Sequence, residues 1–373
     1  MKINEKIFIE LYNAGKTDAE LGELFGASER SIERYASKLR REGKIKYRKD
    51  LFGNGKIPSY KNGEIFEEVQ QYIDSASSVI KKYNDIYKNV KFKGTWKGNK
   101  QVEDMALVWS DMHTGSINKS PITGKITYNE EIQEKELEAL LRGVIRFYYL
   151  YRPSYKVETL YIFDAGDNIT NDRIYEGQKS EITCNVGEQI IKTFEYQSSF
   201  IKKMLEIFPR VVFIKEYGNH GRTSPTPIAE RATNNFEYLL GKLLEERFKD
   251  NKRVEIIVPE NYYHVINIRG HKYLLFHGNN IRGTTLNTIE NATKQIALLA
   301  GREVYDVIII GHFHTSLKLR ITPSTTLLVN GCFIHDDEYS YNKLRKFSSA
   351  TQYLFNISKR SALHNLQEIY LKW

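Results

Sequence analysis

From residue 104 to the C-terminus, short apolar runs alternate with longer amphipathic stretches. Residues 106–109, 159–163, 211–215, 272–276 and 307–310 are nearly continuous apolar runs and predict buried strands. Between them, apolar residues recur at helical spacing around 130–149, 188–208, 228–248 and 286–300. This is the βαβ rhythm of a layered α/β fold. Residues 254–258, 262–268, 325–329, 352–357 and 367–371 read as further strands, expected to be antiparallel.

The front of the chain has a different pattern. Residues 3–49 predict three short helices. Thr17 and Glu20 have capping-box spacing, Leu21, Leu24 and Phe25 supply an apolar face, and Gly26 ends the helix. Ser28 caps a third helix whose inner face is Ile32, Tyr35, Ala36 and Leu39. Two short helices joined by a tight glycine-containing turn predict a helix-turn-helix. Gly53, Gly55, Pro58 and Gly63 then mark a linker. In a helix expected over 64–87, Ile65, Val69, Tyr72, Ala76, Val79, Tyr83 and Ile86 form a heptad seam, suited to packing on the following domain or to a homodimeric coiled coil. A second, basic linker covers 91–100. The expected organisation is a helix-turn-helix domain at 1–50, a linker with the heptad helix at 51–100, and an α/β domain at 101–373.

Charge adds to this division. Of the net charge of +9 over 373 residues, +7 belongs to residues 1–100, with 21 Lys and Arg against 14 Asp and Glu. A positive field concentrated at the front favours a polyanionic partner through counterion release. The apolar runs are too short to span a bilayer, and two cysteines form no disulfide framework, so no membrane role and a cytoplasmic location are expected.

Candidate chemistry follows each predicted strand. Asp111 and His113 come after the first, Asp167 after the second, Asn219 and His220 after the third, His277 after the fourth, and His312 and His314 after the fifth. The C-terminal edges of strands in an open α/β sheet line one crevice, so these distant residues are expected to converge. Aspartate, histidine and asparagine without thiolates suit Mn2+, with Fe or Zn2+ as alternatives, and argue against a structural zinc site.

In this order, the D-x-H, G-D, G-N-H, lone His and G-H-x-H pieces resemble the calcineurin-like metallophosphoesterases, over residues 105–330. Within that superfamily they resemble the Mre11/SbcD-like nuclease branch and phage-encoded relatives. The resemblance implies a four-layer α/β/β/α sandwich and a two-metal phosphoesterase with a metal-bridging hydroxide. It further implies that Asp111, His113 and His314 hold one divalent ion, Asn219, His277 and His312 hold a second, and Asp167 bridges both and is catalytic. His220 would protonate the leaving oxygen or stabilise the transition state. The chain departs from the pattern at Gly221, where an acidic partner for that histidine is usual. Arg222 is expected to take a substrate phosphate.

The substrate is read from the attached domain. In a helix-turn-helix the second helix enters the major groove, which points Ser28, Arg30, Ser31 and Arg34 at DNA, with Arg40, Arg41 and the following lysines along phosphates. Glu29 and Glu33 lie on the same helix. The leading expectation is a DNA-directed phosphodiesterase. The alternatives are a phosphomonoesterase or cyclic-nucleotide diesterase, and an inactive DNA-binding assembly protein.

Overall fold

A computed structural model describes residues 3–46, 101–175, 178–224, 231–283, 285–301, 304–335 and 350–371. The linkers and the heptad helix expected over 64–87, with its dimer seam, lie outside the described residues, as do Arg48 and Lys49. The chain divides into two compact units, residues 1–75 and 76–373.

In the first unit, local capping signals set the helix ends. Helix α1 (Glu5–Asn13) starts where the Asn4 side chain accepts from the Ile7 amide. Helix α2 (Asp18–Phe25) opens with a complete capping box: Thr17 Oγ1 accepts from Glu20 N at 3.3 Å and the Glu20 carboxylate accepts from Thr17 N at 2.6 Å. It stops at Gly26, which takes the left-handed conformation at φ 60°. Helix α3 (Glu29–Arg41) begins at Ser28, whose hydroxyl accepts from Ser31 N. Phe8, Tyr12, Leu21, Ile32, Ala36, Leu39 and Ile45 form the core. Leu24, expected on the inner face, is 59% exposed, because the short α2 buries only the stripe through Leu21.

The second unit contains, in order, β1 (Gln101–Trp109), β2 (Asn118–Lys119), β3 (Ile126–Tyr128), α4 (Glu130–Tyr151), β4 (Tyr155–Asp164), α5 (Val186–Met204), β5 (Arg210–Lys215) and α6 (Phe236–Phe248). There follow β6 (Val254–Ile257), β7 (His264–Ile268), β8 (His271–Leu275), α7 (Leu286–Gly301), β9 (Val307–Ile310), β10 (Leu317–Arg320), β11 (Thr326–Val329), β12 (Thr351–Ile357) and β13 (His364–Tyr370). They build a six-stranded sheet, β13-β12-β1-β4-β5-β6, a five-stranded sheet, β10-β11-β9-β8-β7, and the small β2-β3 pair.

Two strands expected to be antiparallel are parallel to a neighbour. Strand β6 runs parallel to β5, because α6 carries the chain back before it re-enters the sheet. Strand β11 turns back from β10 and therefore runs parallel to β9. The short strands β2, β3 and β10 were not anticipated from the pattern. Helix α6 begins at Phe236 rather than 228, since Asn235 caps it by accepting from Glu237 N.

Three apolar clusters account for the burial. Leu137, Leu140 and Leu141 of α4 and Tyr196 and Phe200 of α5 pack with one face of the six-stranded sheet, including Trp109 and Phe213. Val108, Phe163 and Phe355 of that sheet share a second cluster with Tyr273, Leu275 and Ile309 of the five-stranded sheet. Leu274 and Ile308 lie in a third with Ile289 of α7. Such alternation of inward residues, from both faces of each sheet, is why the strands read as continuous apolar runs. Among the described residues no helix is long and apolar enough to cross a membrane.

Candidate metal centre

Each ligand candidate sits just past the C-terminal end of a strand, and the strands come from both sheets. The loops after β1, β4 and β5 leave the six-stranded sheet; those after β8 and β9 leave the five-stranded one. The ladder between β1 and β4 continues into their loops: Asp111 N donates to Gly166 O at 2.9 Å and His113 N to Asp167 O at 3.0 Å. Two further bonds join loops of opposite sheets. His277 Nδ1 lies 2.8 Å from Ala165 O, and His312 N donates to both carboxylate oxygens of Asp111 at 3.1 Å.

The side chains converge in three overlapping triads: Asp111, His113 and His314; His113, Asp167 and His220; Asp167, His277 and His312. Within each, ligand atoms lie within 4.8 Å of one another. His113 Nε2 and His314 Nε2 are 3.1 Å apart, and His314 Nε2 is 3.6 Å from Asp111 Oδ1. His277 Nε2 is 3.0 Å from Asp167 Oδ2 and 3.2 Å from Asn219 Oδ1. Asp111, His113, Asp167, His277 and His314 are buried, whereas Asn219, His220 and His312 are partly exposed, leaving the cluster one solvent-facing side.

The backbone is strained where these ligands lie. Among the described residues, eight non-glycine positions have positive φ, and Asp111, His113, Asp167, His312 and His314 are five of them. A left-handed conformation at such residues costs on the order of 1–3 kcal/mol and persists where surrounding structure over-determines it. The Gly-Asn turn is equally constrained: a Cβ on Gly218 would stand 1.9 Å from Asp167 Oδ1.

A divalent cation fits this donor set. With Nδ1 of His277 held by a carbonyl, its Nε2 faces a carboxylate oxygen and an amide oxygen, three acceptor atoms that need a cation or a proton between them. Without an ion a proton fills that role: burial lowers the His277 pKa, but the Asp167 carboxylate outweighs it and raises it to about 9. Burial also pushes Asp167 up, and the imidazoles of His277, His220 and His113 reverse this, holding it well below the usual carboxylate range. Burial, followed by the neighbouring His277, lowers His312 to about 3, so it is a neutral donor.

The Gly221 departure has a geometric answer. A Cβ there would lie 2.0 Å from Asn235 Oδ1 and 2.8 Å from Glu237 Cγ, so the start of α6 occupies the space an acidic side chain would need. The Thr170 carbonyl takes the role of the absent acid, 2.8 Å from His220 Nδ1. That contact makes Nδ1 the donor, and a ring nitrogen of His220 lies within 4.8 Å of the ligand atoms of Asp167 and His113. Asn171, itself at φ 70°, donates its carboxamide to His220 O at 2.6 Å and Arg222 O at 3.0 Å.

Arg222, expected to take a substrate phosphate, is also hydrogen-bonded within the protein. Its Nε, Nη1 and Nη2 donate to the carbonyls of Ser224, Asn219 and Ile174 at 3.0, 3.1 and 3.0 Å, which braces its own loop and ties it to the loop after β4. His335 Nε2 lies 2.8 Å from the buried Glu136, whose carboxyl burial raises to about 7. In the first unit Ser28, Arg30, Ser31, Arg34 and Arg41 are exposed, and Arg40 is partly buried and donates to Tyr12 Oη at 3.4 Å.

Sequence reasoning missed the polar layer under the centre. Asp164, Lys215, Glu237 and Gln197 are fully buried. Lys215 Nζ pairs with Asp164 Oδ2 at 2.8 Å, and Gln197 Nε2 reaches that same oxygen at 3.1 Å. The one available signal was Lys215 and Asp164 ending otherwise apolar strands. Nothing local marks Glu237, which looks like any acidic residue in a first helical turn.

No family model and no curated protein matches the chain. Among solved structures, it is similar to zinc-complexed Vps29 from Entamoeba histolytica, at 12% identity over 72% of this chain and 99% of that one, with a TM-score of 0.29. It is also similar to a predicted phosphoesterase from Streptococcus pneumoniae, at 12% identity over 72% and 98% of the two chains, TM-score 0.28. The sulfate thiohydrolase SoxB from Thermus thermophilus matches at 10% identity over 74% of this chain and 57% of its own, TM-score 0.29. With scores this low, the metal centre stands on its own geometry.

Proposed function

We propose that this protein is a two-metal phosphodiesterase of the metallophosphoesterase type, acting on DNA and delivered to it by an N-terminal helix-turn-helix. The observation that carries the phosphoesterase reading is the coincidence of strained backbone and ligand chemistry. Five of the seven named ligands adopt left-handed conformations, and all but Asn219 fall within the three overlapping triads. An inert scaffold has no physical need to bear that strain. The two sheets sharing a core, with helices packed on their other faces, support a four-layer sandwich beneath it.

Asp111, His113 and His314 would hold one ion and Asn219, His277 and His312 the other, with Asp167 between them. When bound, such a pair supplies charge neutralisation on a phosphoryl group and acidifies water. The chain's own contribution is orientation and proton handling. His220, with Nδ1 held by Thr170 O, presents Nε2 as the atom that gives a proton to the leaving oxygen. His277 is fixed by Ala165 O with its Nε2 facing the centre.

DNA is favoured by the first unit. Its short α2 and α3, joined through Gly26–Ser28, leave Arg30, Arg34 and Arg41 exposed on α3, within the part of the chain holding most of the net positive charge. The test is incubation with Mn2+ and labelled single-stranded, duplex and forked DNA. We expect cleavage, and about a hundredfold or greater loss with His220→Ala at unchanged metal content. Absence of cleavage with every divalent metal overturns the DNA reading. Strong turnover of phosphomonoesters or cyclic nucleotides with indifference to DNA transfers the site to small substrates.

A further inference from the structure

We infer that Glu237, in the first turn of α6, is a positioning residue of the metal centre, a buried carboxylate that sets the Asp167 loop against the Asn219 loop. The inference rests on the two-metal reading above. The β4–β5 ladder ends at the pair Asp164 and Lys215, before either ligand is reached. Beyond that point Glu237 ties the loops together. Its Oε2 accepts from Asp167 N at 3.2 Å and Gly218 N at 2.8 Å; its Oε1 accepts from Asn168 N at 2.5 Å and Asn168 Nδ2 at 3.2 Å.

Four donors from two loops converge on one fully buried carboxylate. Only an acceptor with two equivalent oxygens satisfies all four, because a carboxamide in the same place turns an NH2 group against backbone N–H groups. Asp167 belongs to two of the triads, and Gly218 precedes Asn219, so a shift at Glu237 moves ligands on both sides of the centre. The charge is supported in place: Lys215 Nζ lies 3.7 Å from Glu237 Oε1 with no solvent exposure on either side chain. Asn235 assists from the same helix start, donating to Gly218 O at 3.1 Å. This also gives Gly221 its reason, since a side chain there would displace the segment that carries both residues.

The test uses Glu237→Gln in the full chain and two readouts. Amide hydrogen exchange of the metal-free protein, followed in peptides covering 165–169 and 216–219, reads the tie directly. Calorimetric titration with Mn2+ reads its consequence. We expect faster exchange in both peptides and Mn2+ affinity lowered about tenfold to a hundredfold, as for other groups that orient ligands. Unchanged exchange overturns the inference, and so does faster exchange with parental Mn2+ affinity, which would make Glu237 merely structural. If the parent protein takes up no Mn2+, the two-metal reading fails first and the inference falls with it. Should Glu237→Gln not fold, Glu237→Asp keeps the charge beside Lys215 and withdraws it by one methylene, and the same outcomes apply.

Discussion

The two units reach order by opposite means. In residues 3–46 every element obeys local rules: helix starts capped by Asn4, Thr17 and Ser28, a left-handed glycine at Gly26, and one small apolar core. In the second unit, the loops past β1, β4 and β9 break local rules, holding aspartates and histidines in conformations that favour glycine. Those loops are tied by bonds spanning large sequence distances, such as His277 Nδ1 to Ala165 O and Asp167 N to Glu237. Departure from local preference is the stronger functional signal, because only dense tertiary support maintains it. The first unit's role must be read from surface charge, which many partners could use.

That contrast can be broken most forcefully at Gly221. Gly221→Ala inserts a Cβ 2.0 Å from Asn235 Oδ1 within the ligand scaffold. The expected loss is about 2–4 kcal/mol of stability in the second unit, measured by denaturant unfolding, with weakened metal uptake. A neutral substitution would show that the scaffold is looser than its geometry.

A smaller effect follows from protons. In the metal-free protein His277 has its pKa raised from 6.5 to about 9, so its contribution to stability is fully present below the unfolded value and fades as pH rises through about 9. An ion entering beside Asn219 and His312 must displace that proton. Apparent Mn2+ affinity there should climb about tenfold per pH unit from pH 7 towards 9, with about one proton released per ion. Calorimetry in buffers of differing ionisation enthalpy measures both, and pH-independent binding would remove His277 from the ligand set.

The smallest expected change lies in the first unit. Thr17→Ala removes one half of the capping box and should cost about 1 kcal/mol there, read from the thermal unfolding of residues 1–50 within the full chain. Metal affinity should not move. A change in metal uptake would mean that the regular unit and the strained one are energetically linked.

Much of the candidate centre was legible because the residues gathered there come with short signatures. Asp-x-His, Gly-Asp, Gly-Asn-His and Gly-His-x-His each follow an apolar run whose strand character is unambiguous, and strand ends are where an α/β fold gathers side chains. Less legible was anything defined by partners rather than by neighbours. Gly221 looked like a missing acid until Asn235 filled the space beside it. Arg222 donates to three backbone carbonyls, one of them 48 residues away, which no local pattern announces. Strands β6 and β11 looked antiparallel, since strand direction depends on the path of the intervening chain and leaves no mark in apolar periodicity.

By itself the sequence determined which residues can bind a cation, where the strands that carry them lie, and that most of the positive charge belongs to the first 100 residues. These follow from side-chain chemistry and short-range periodicity, which the chain carries locally. Tertiary structure alone decided which candidate ligands each of the two sheets contributes, that Thr170 O holds His220, and that Glu237 sits beneath Asp167. Those are contacts between residues 50 to 70 positions apart or in different sheets, and their energies depend on burial and direction that exist only once the sheets have packed.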